Sequence, residues 1–125
     1  MRGGPSWKAG RVEIFHNGQW GTVCDDGFDV AAARVACWDA GLRGGRALVN
    51  TEYGEGTGPI WIDDINCEGT EMWLSSCQRP KYGKHNCFHF EDAGVQCSGA
   101  LTLRITSIKF MHVCISFKMW MILLL

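Results

Sequence analysis

Six cysteines within the first 97 residues limit the folds open to this chain more than any other feature. Cys67, Cys77, Cys87 and Cys97 fall ten residues apart, and Cys24 and Cys37 lie thirteen apart upstream. Such a set is either a disulfide framework or a metal framework. Zinc modules bring their ligands as close pairs such as Cys-x-x-Cys, and no such pair occurs, so the spacing favours disulfides. At 125 residues the chain is long enough for one domain, but short chains bury a smaller share of their surface, and covalent staples offset that. Disulfides persist in oxidising compartments, which places the folded part outside the cytosol. Met1 to Trp20 holds Arg2, Lys8 and Arg11 without the apolar run of a signal peptide. The chain therefore reads as a piece of a longer secreted or membrane protein, or as one whose true start lies upstream.

The net charge of -1 conceals an asymmetry. Residues 1–97 carry nine Lys or Arg against thirteen Asp or Glu, a balance of -4, whereas 98–125 carry three positive charges and no negative one. An acidic domain is a poor match for nucleic acid as main partner, since the phosphate backbone calls for a basic face. It suits cation binding, and equally an ordinary solvated acidic surface.

Arg11 to Phe15 alternates polar and apolar residues, and Gln19 to Val23 follows after Asn17-Gly18, a pair that adopts positive φ at low cost. This predicts a β-hairpin leading to Cys24-Asp25-Asp26. Asp29 is placed to cap a helix from Val30 that Gly41 stops, with Val30, Ala33 and Cys37 on one face pointing Cys37 into the core. Leu42 to Pro59 reads as a long loop with at most one short strand near Ala47-Leu48-Val49. Ile60-Trp61-Ile62 is a buried strand, Thr70 caps a short helix through Cys77, and Ala93 to Cys97 closes the domain as a strand. The Trp residues are mostly core, with Trp7 and Trp20 the best placed to show a face to solvent. Ile105 to Leu125 is mostly apolar but broken by Lys109, His112 and Lys118. Residues 99–125 are a hydrophobic tail outside the domain, or a marginal membrane segment costly to insert with its lysines; Cys114, the seventh cysteine, lies there without an evident partner.

Several multi-residue motifs occur in order: Gly10-Arg-Val-Glu-Ile, Trp20-Gly-Thr-Val-Cys-Asp-Asp26, Ala36-Cys37, Gly58-Pro-Ile-Trp-Ile-Asp-Asp-Ile-Asn-Cys67, Gly69-Thr-Glu, Leu74-Ser-Ser-Cys77 and His89-Phe-Glu-Asp-Ala-Gly-Val-Gln-Cys97. With the six cysteines, they resemble the scavenger receptor cysteine-rich (SRCR) domain over residues 3–98, so that the domain is taken as 1–98. The resemblance implies a small disulfide-rich α+β fold, a curved β-sheet cradling one α-helix, with disulfides Cys24 to Cys87, Cys37 to Cys97 and Cys67 to Cys77. Lys8 and Leu42 stand where an eight-cysteine group has an extra pair, so the chain is similar to the six-cysteine group A type. The family's opening strand runs further upstream than Met1, which again suggests a truncated N-terminal edge.

With Cys24 bonded to Cys87, Asp25, Asp26 and Glu91 are drawn together, and clustered carboxylates call for a cation. Ca²⁺ or Mg²⁺ prefers such hard oxygens. Matching family positions form a cation site used in ligand binding, and a second site there matches Asp63 and Asn86. The simpler account is that Asp25 and Asp26 satisfy turn amides. His85, Cys87 and His89 alternate and imitate a zinc cluster if they lie in a strand, but a disulfide-bonded Cys87 is no thiolate ligand. No nucleophile elbow, phosphate loop or zinc-protease motif is present, so the expectation is not an enzyme. No N-glycosylation sequon occurs either.

The expected function is an extracellular, divalent-cation-dependent ligand-binding module of scavenger-receptor type. Its partners are protein or polyanionic ligands, with Arg43, Arg46, Arg79, Lys81 and Lys84 as supplementary contacts, and other domains of a longer parent protein. Membrane contact comes only through the tail. The main alternative is an accessory domain of a secreted enzyme, since similar domains accompany proteases and amine oxidases; a structural adhesion repeat without a cation is the third.

Overall fold

The alternation in Ala9–His16 buries Val12 and Ile14 and turns Glu13 and Phe15 outward, so this long strand, β1, becomes the spine of the main sheet. The structure, a computed structural model, describes residues 9–48, 54–100 and 113–115. At the Asn17-Gly18 turn both residues take positive φ, 53° and 77°, as a two-residue hairpin loop requires. The chain returns as β2, Gln19–Val23, pairing antiparallel with Phe15 opposite Trp20.

Helix α1, Val30–Asp39, begins at Asp29, whose carboxylate accepts the Ala32 amide at 3.0 Å. Its buried face consists of Ala32, Ala33, Val35, Ala36 and Cys37. Val30, the first residue of the helix, is 60% exposed, so the face it shares by spacing with Ala33 and Cys37 is buried only from Ala33 onward. The alanines let the helix lie close against the sheet, and Asp39 at its end accepts the buried Leu74 amide at 2.8 Å.

The stretch expected to be a long loop with at most one short strand near Ala47-Leu48-Val49 contains two, β3 (Leu42–Arg43) and β4 (Arg46–Leu48), the second at the expected place. Residues 49–53 lie outside the described residues. β5 is Ile60–Ile62, β6 Gly94–Gln96, β7 Gly99–Ala100 and β8 Val113–Ile115. The main sheet runs β4-β6-β1-β2-β5, with β5 parallel to β2 and β8 antiparallel to β1 at Val12 to Ile14; β3 and β7 form a separate pair. Of residues 99–125 only Gly99–Ala100 and Val113–Ile115 are described, and the remainder, Trp7 and most of the membrane-segment reading lie outside the described residues. Among the described residues no helix is long and apolar enough to cross a membrane.

Two further expectations are corrected. Thr70 caps no helix: only Leu74–Ser76 form a short 3-10 turn, because the Glu71 carboxylate takes the amides of Glu68 and Gly69 at 2.8 and 2.9 Å and holds that segment as a loop. The described tryptophans, Trp20, Trp38, Trp61 and Trp73, are all half-buried, and the core is aliphatic instead: Val12, Val23, Val35, Ile62, Ile65, Leu74 and Val95.

The disulfides join Cys24 to Cys87, Cys37 to Cys97 and Cys67 to Cys77. The second ties the helix to the end of β6, the third closes the loop that contains the 3-10 turn, and the first, spanning 63 residues, fastens the end of β2 to the loop before β6.

Candidate cation site

That first disulfide lies at one end of the sheet, where three segments meet. Residues 25–28 turn directly after β2, with the Phe28 amide bonded to the Asp25 carbonyl at 3.0 Å and Gly27 at φ 79°. The Asp25 amide donates to the Glu91 carbonyl at 2.7 Å, and the Cys24 amide to the Ile62 carbonyl at 2.8 Å, so this turn is wedged between the segment after β5 and residues 87–92. From the β5 side come Asp63 and Asp64. Asp63 is buried; its Oδ1 accepts the Asp64 amide at 2.8 Å and its Oδ2 the Asn86 amide at 3.3 Å. Asp64 adopts φ 51°, a left-handed conformation that Asp tolerates.

From the other side comes a second 3-10 turn, His89–Glu91, in which Glu91 Oε1 accepts the Phe88 amide at 3.0 Å. Asp26 stands between the two walls. Its carboxylate approaches Glu91, beside the Cys24–Cys87 bond, within 4.8 Å, and groups equally closely with Asp63 and Asp64. Partial loss of water raises the Asp26 pKa above its ordinary value, and the charges of Asp63, Glu91, Asp25 and Asp64 raise it further. Among the described residues, none of Asp26, Asp63, Asp64 and Glu91 forms an ion pair with a Lys, Arg or His.

The two sites read from the sequence thus adjoin at Asp26. Asp25 joins through its main chain and its charge, and Asn86 through its amide on Asp63. The reading missed Asp64. Its neighbour Asp63 was visible, but in a simple strand continuation adjacent side chains point to opposite faces, and only the positive φ at Asp64 brings both carboxylates to Asp26. With the two cysteines in a disulfide, the donors are hard oxygens with no counter-charge, and they fit Ca²⁺ or Mg²⁺. The zinc imitation fails on geometry too: residues 85–88 form no strand, and His89 Nδ1 lies 2.9 Å from Asp92 while His85 Nδ1 accepts the Cys87 amide at 3.0 Å.

Behind the site, Asp92 is buried and accepts the Gly56 amide at 2.7 Å, and His89 Nε2 lies 2.9 Å from the Gly58 carbonyl. Burial works against protonation of His89, but the Gly58 carbonyl, Asp92 and the charge of Glu55 outweigh it and raise the pKa. This clasp holds residues 54–58 against the turn that carries Glu91.

The basic residues do not converge. Arg43 and Arg46 sit on β3 and β4, and Arg46 bonds the side chain of Gln96. Lys81 and Lys84 are exposed in a turn beside β5, at the other edge of the main sheet, and Arg79 lies 3.7 Å over the Tyr82 ring.

Three disulfides, a curled sheet carrying one helix and an acidic loop face define a small, covalently stapled recognition domain of the extracellular kind. The model of the scavenger receptor cysteine-rich domain matches residues 2–98, and the chain belongs to that family. It is similar to the SRCR domain of mouse MARCO, solved in a dimeric form, with 50% identity and a TM-score of 0.68 over 72% of this chain and 86% of that one. It is also similar to the third SRCR domain of murine neurotrypsin, with 48% identity and a TM-score of 0.69 over 75% of this chain and 89% of that one. Domains of this family are generally non-catalytic ligand-recognition modules of secreted and membrane-receptor proteins.

Proposed function

We propose that this domain recognises its ligands, protein or polyanionic, through a divalent cation, with Ca²⁺ the best match to the donors. Asp26 and Glu91 hold the cation, Asp63 and Asp64 complete its surroundings, and Asp25 and Asn86 support them from the main chain. One observation carries this reading: Asp26 is flanked on two sides by carboxylates, and no basic side chain among the described residues neutralises them. Such an arrangement is unfavourable until a cation enters, and a half-exposed cation keeps positions open for a ligand. The role is the same in a receptor or beside the catalytic domain of a secreted enzyme.

The test is a thermal melt of the oxidised chain with millimolar Ca²⁺ and then with excess chelator. A cation bound only by the folded state at 100 times its dissociation constant adds about 2.7 kcal/mol, a shift of several degrees. Absence of any shift in the parent chain would leave the acidic turn as local amide chemistry and end the proposal.

A further inference from the structure

Phe88 and Phe90 are 66% and 56% exposed, yet their rings stack with centroids 5.6 Å apart and planes within 8°. Large apolar side chains held together in water beside polar groups mark a contact surface. The segment bearing them is pinned at each step: Cys87 by its disulfide, the Phe88 amide by Glu91, and His89 by Asp92 and Gly58. A partner meeting these rings therefore has little ordering to impose, which favours binding.

The same segment carries Glu91, whose carboxylate accepts the Phe88 amide at 3.0 Å, so the residue bearing one of the rings adjoins the acidic patch. Four carboxylates, Asp26, Asp63, Asp64 and Glu91, carry four negative charges, and one divalent cation leaves two of them uncompensated. What such a surface attracts is a positive group. Aromatic faces beside it add to that preference, because a Lys or Arg is drawn to a ring as well as to a carboxylate.

We propose that Phe88 and Phe90, with the carboxylates of Asp26, Asp63, Asp64 and Glu91, form one docking surface for a protein segment that presents a Lys or Arg beside an apolar side chain. The apolar group covers the rings while the basic group meets the charge left over by the cation. This rests on the reading that the acidic face binds ligands, and it narrows the ligand to a basic, apolar protein surface.

The experiment uses the full oxidised chain, immobilised in 1 mM Ca²⁺, and a soluble probe peptide of alternating Lys and Leu. Companion peptides carry Glu in place of Lys or Ser in place of Leu, and heparin serves as the polyanion. The Lys-Leu peptide is expected to bind at least tenfold tighter than either companion. F88S/F90S loses at least tenfold of that affinity, F88L/F90L keeps most of it, and calorimetric Ca²⁺ uptake stays unchanged in both variants. F88S/F90S binding like the parent overturns the proposal, as does the absence of any Lys-Leu binding. A preference for heparin that depends on the two rings also overturns it, in favour of a polyanionic ligand. Failure of the cation reading is separate, and shows as no calorimetric Ca²⁺ uptake by the parent chain.

Discussion

Asp63 holds Asn86 across 23 residues of sequence, its Oδ2 accepting the Asn86 amide at 3.3 Å while Oδ1 accepts the amide of Asp64. Both oxygens of Asp63 are thus engaged by main-chain donors, which compensate part of its charge. Asp26 has no such main-chain donors among the described residues, and its pKa is raised first by partial loss of water and then by the like charges around it.

Asp26→Asn should therefore act in opposite directions with and without cation. In chelator the variant melts slightly higher than the parent, because one of the clustered charges is gone. In Ca²⁺ the parent gains several degrees and the variant gains little. The pH trend follows from the same sign: a carboxyl whose pKa is raised by folding destabilises the fold when ionised. The parent's disadvantage relative to the variant in chelator should thus fade as pH falls through the raised Asp26 value. Melts from pH 4 to 7, with and without Ca²⁺, check both effects.

Gly27 combines φ 79° with contact against the facing loop, where a Cβ would lie 2.5 Å from the Ile65 carbonyl oxygen. Gly27→Ala is expected to cost about 1 to 3 kcal/mol, since the left-handed backbone and the carbonyl both resist it. The shift needed to relieve the contact moves Asp26 relative to Asp63 and Asp64, so Ca²⁺ affinity falls too. Denaturant unfolding and calorimetry on the same sample separate the two losses.

Both ring nitrogens of His89 face acceptors, Asp92 on one side and the Gly58 carbonyl on the other, so the clasp is complete only in the imidazolium form. With its pKa raised by folding, the clasp contributes fully below the ordinary value of 6.5 and is lost as pH rises through the folded value. The stability difference between the parent and His89→Gln should be largest near pH 5 and shrink towards pH 8. Asp92→Ala also strips the Gly56 amide of its acceptor, a loss of about 1 to 3 kcal/mol from that one donor.

The Cys24–Cys87 bond closes a loop of 63 residues and also sets Asp26 beside Glu91. Replacing both cysteines with Ala should cost about 4 kcal/mol on the chain-entropy account. Ca²⁺ affinity should drop further than that of a variant lacking Cys67 and Cys77, whose bond spans ten residues. Equal affinity in the two variants would show that the acidic turn is held by its amides alone.

Local signals were legible where local chemistry decides. Asn17-Gly18 made the hairpin turn and Asp29 capped the helix, because each acts through its own backbone and the few amides next to it. Thr70 misled for the same reason in reverse: it is a good cap by residue type, but the Glu71 carboxylate turns back onto the amides of Glu68 and Gly69 and the segment stays irregular. Val30 fits a helical face by spacing, yet spacing does not say where along the helix that face becomes covered.

The sequence by itself determined a cysteine-stapled domain, its hairpin, its helix and a surplus of acid, since these depend on composition and short-range contacts. The disulfide pairs came from the likeness to a family, because spacing alone leaves fifteen ways to pair six cysteines. Only the tertiary structure decided which acids meet. Asp26 joins Glu91, Asp63 and Asp64 through a parallel strand pairing, a disulfide and one left-handed residue, and the loop that brings Glu91 there also bears the stacked Phe88 and Phe90. Contacts between residues 37 to 65 positions apart are set by how the sheet closes, and no local pattern encodes that distance.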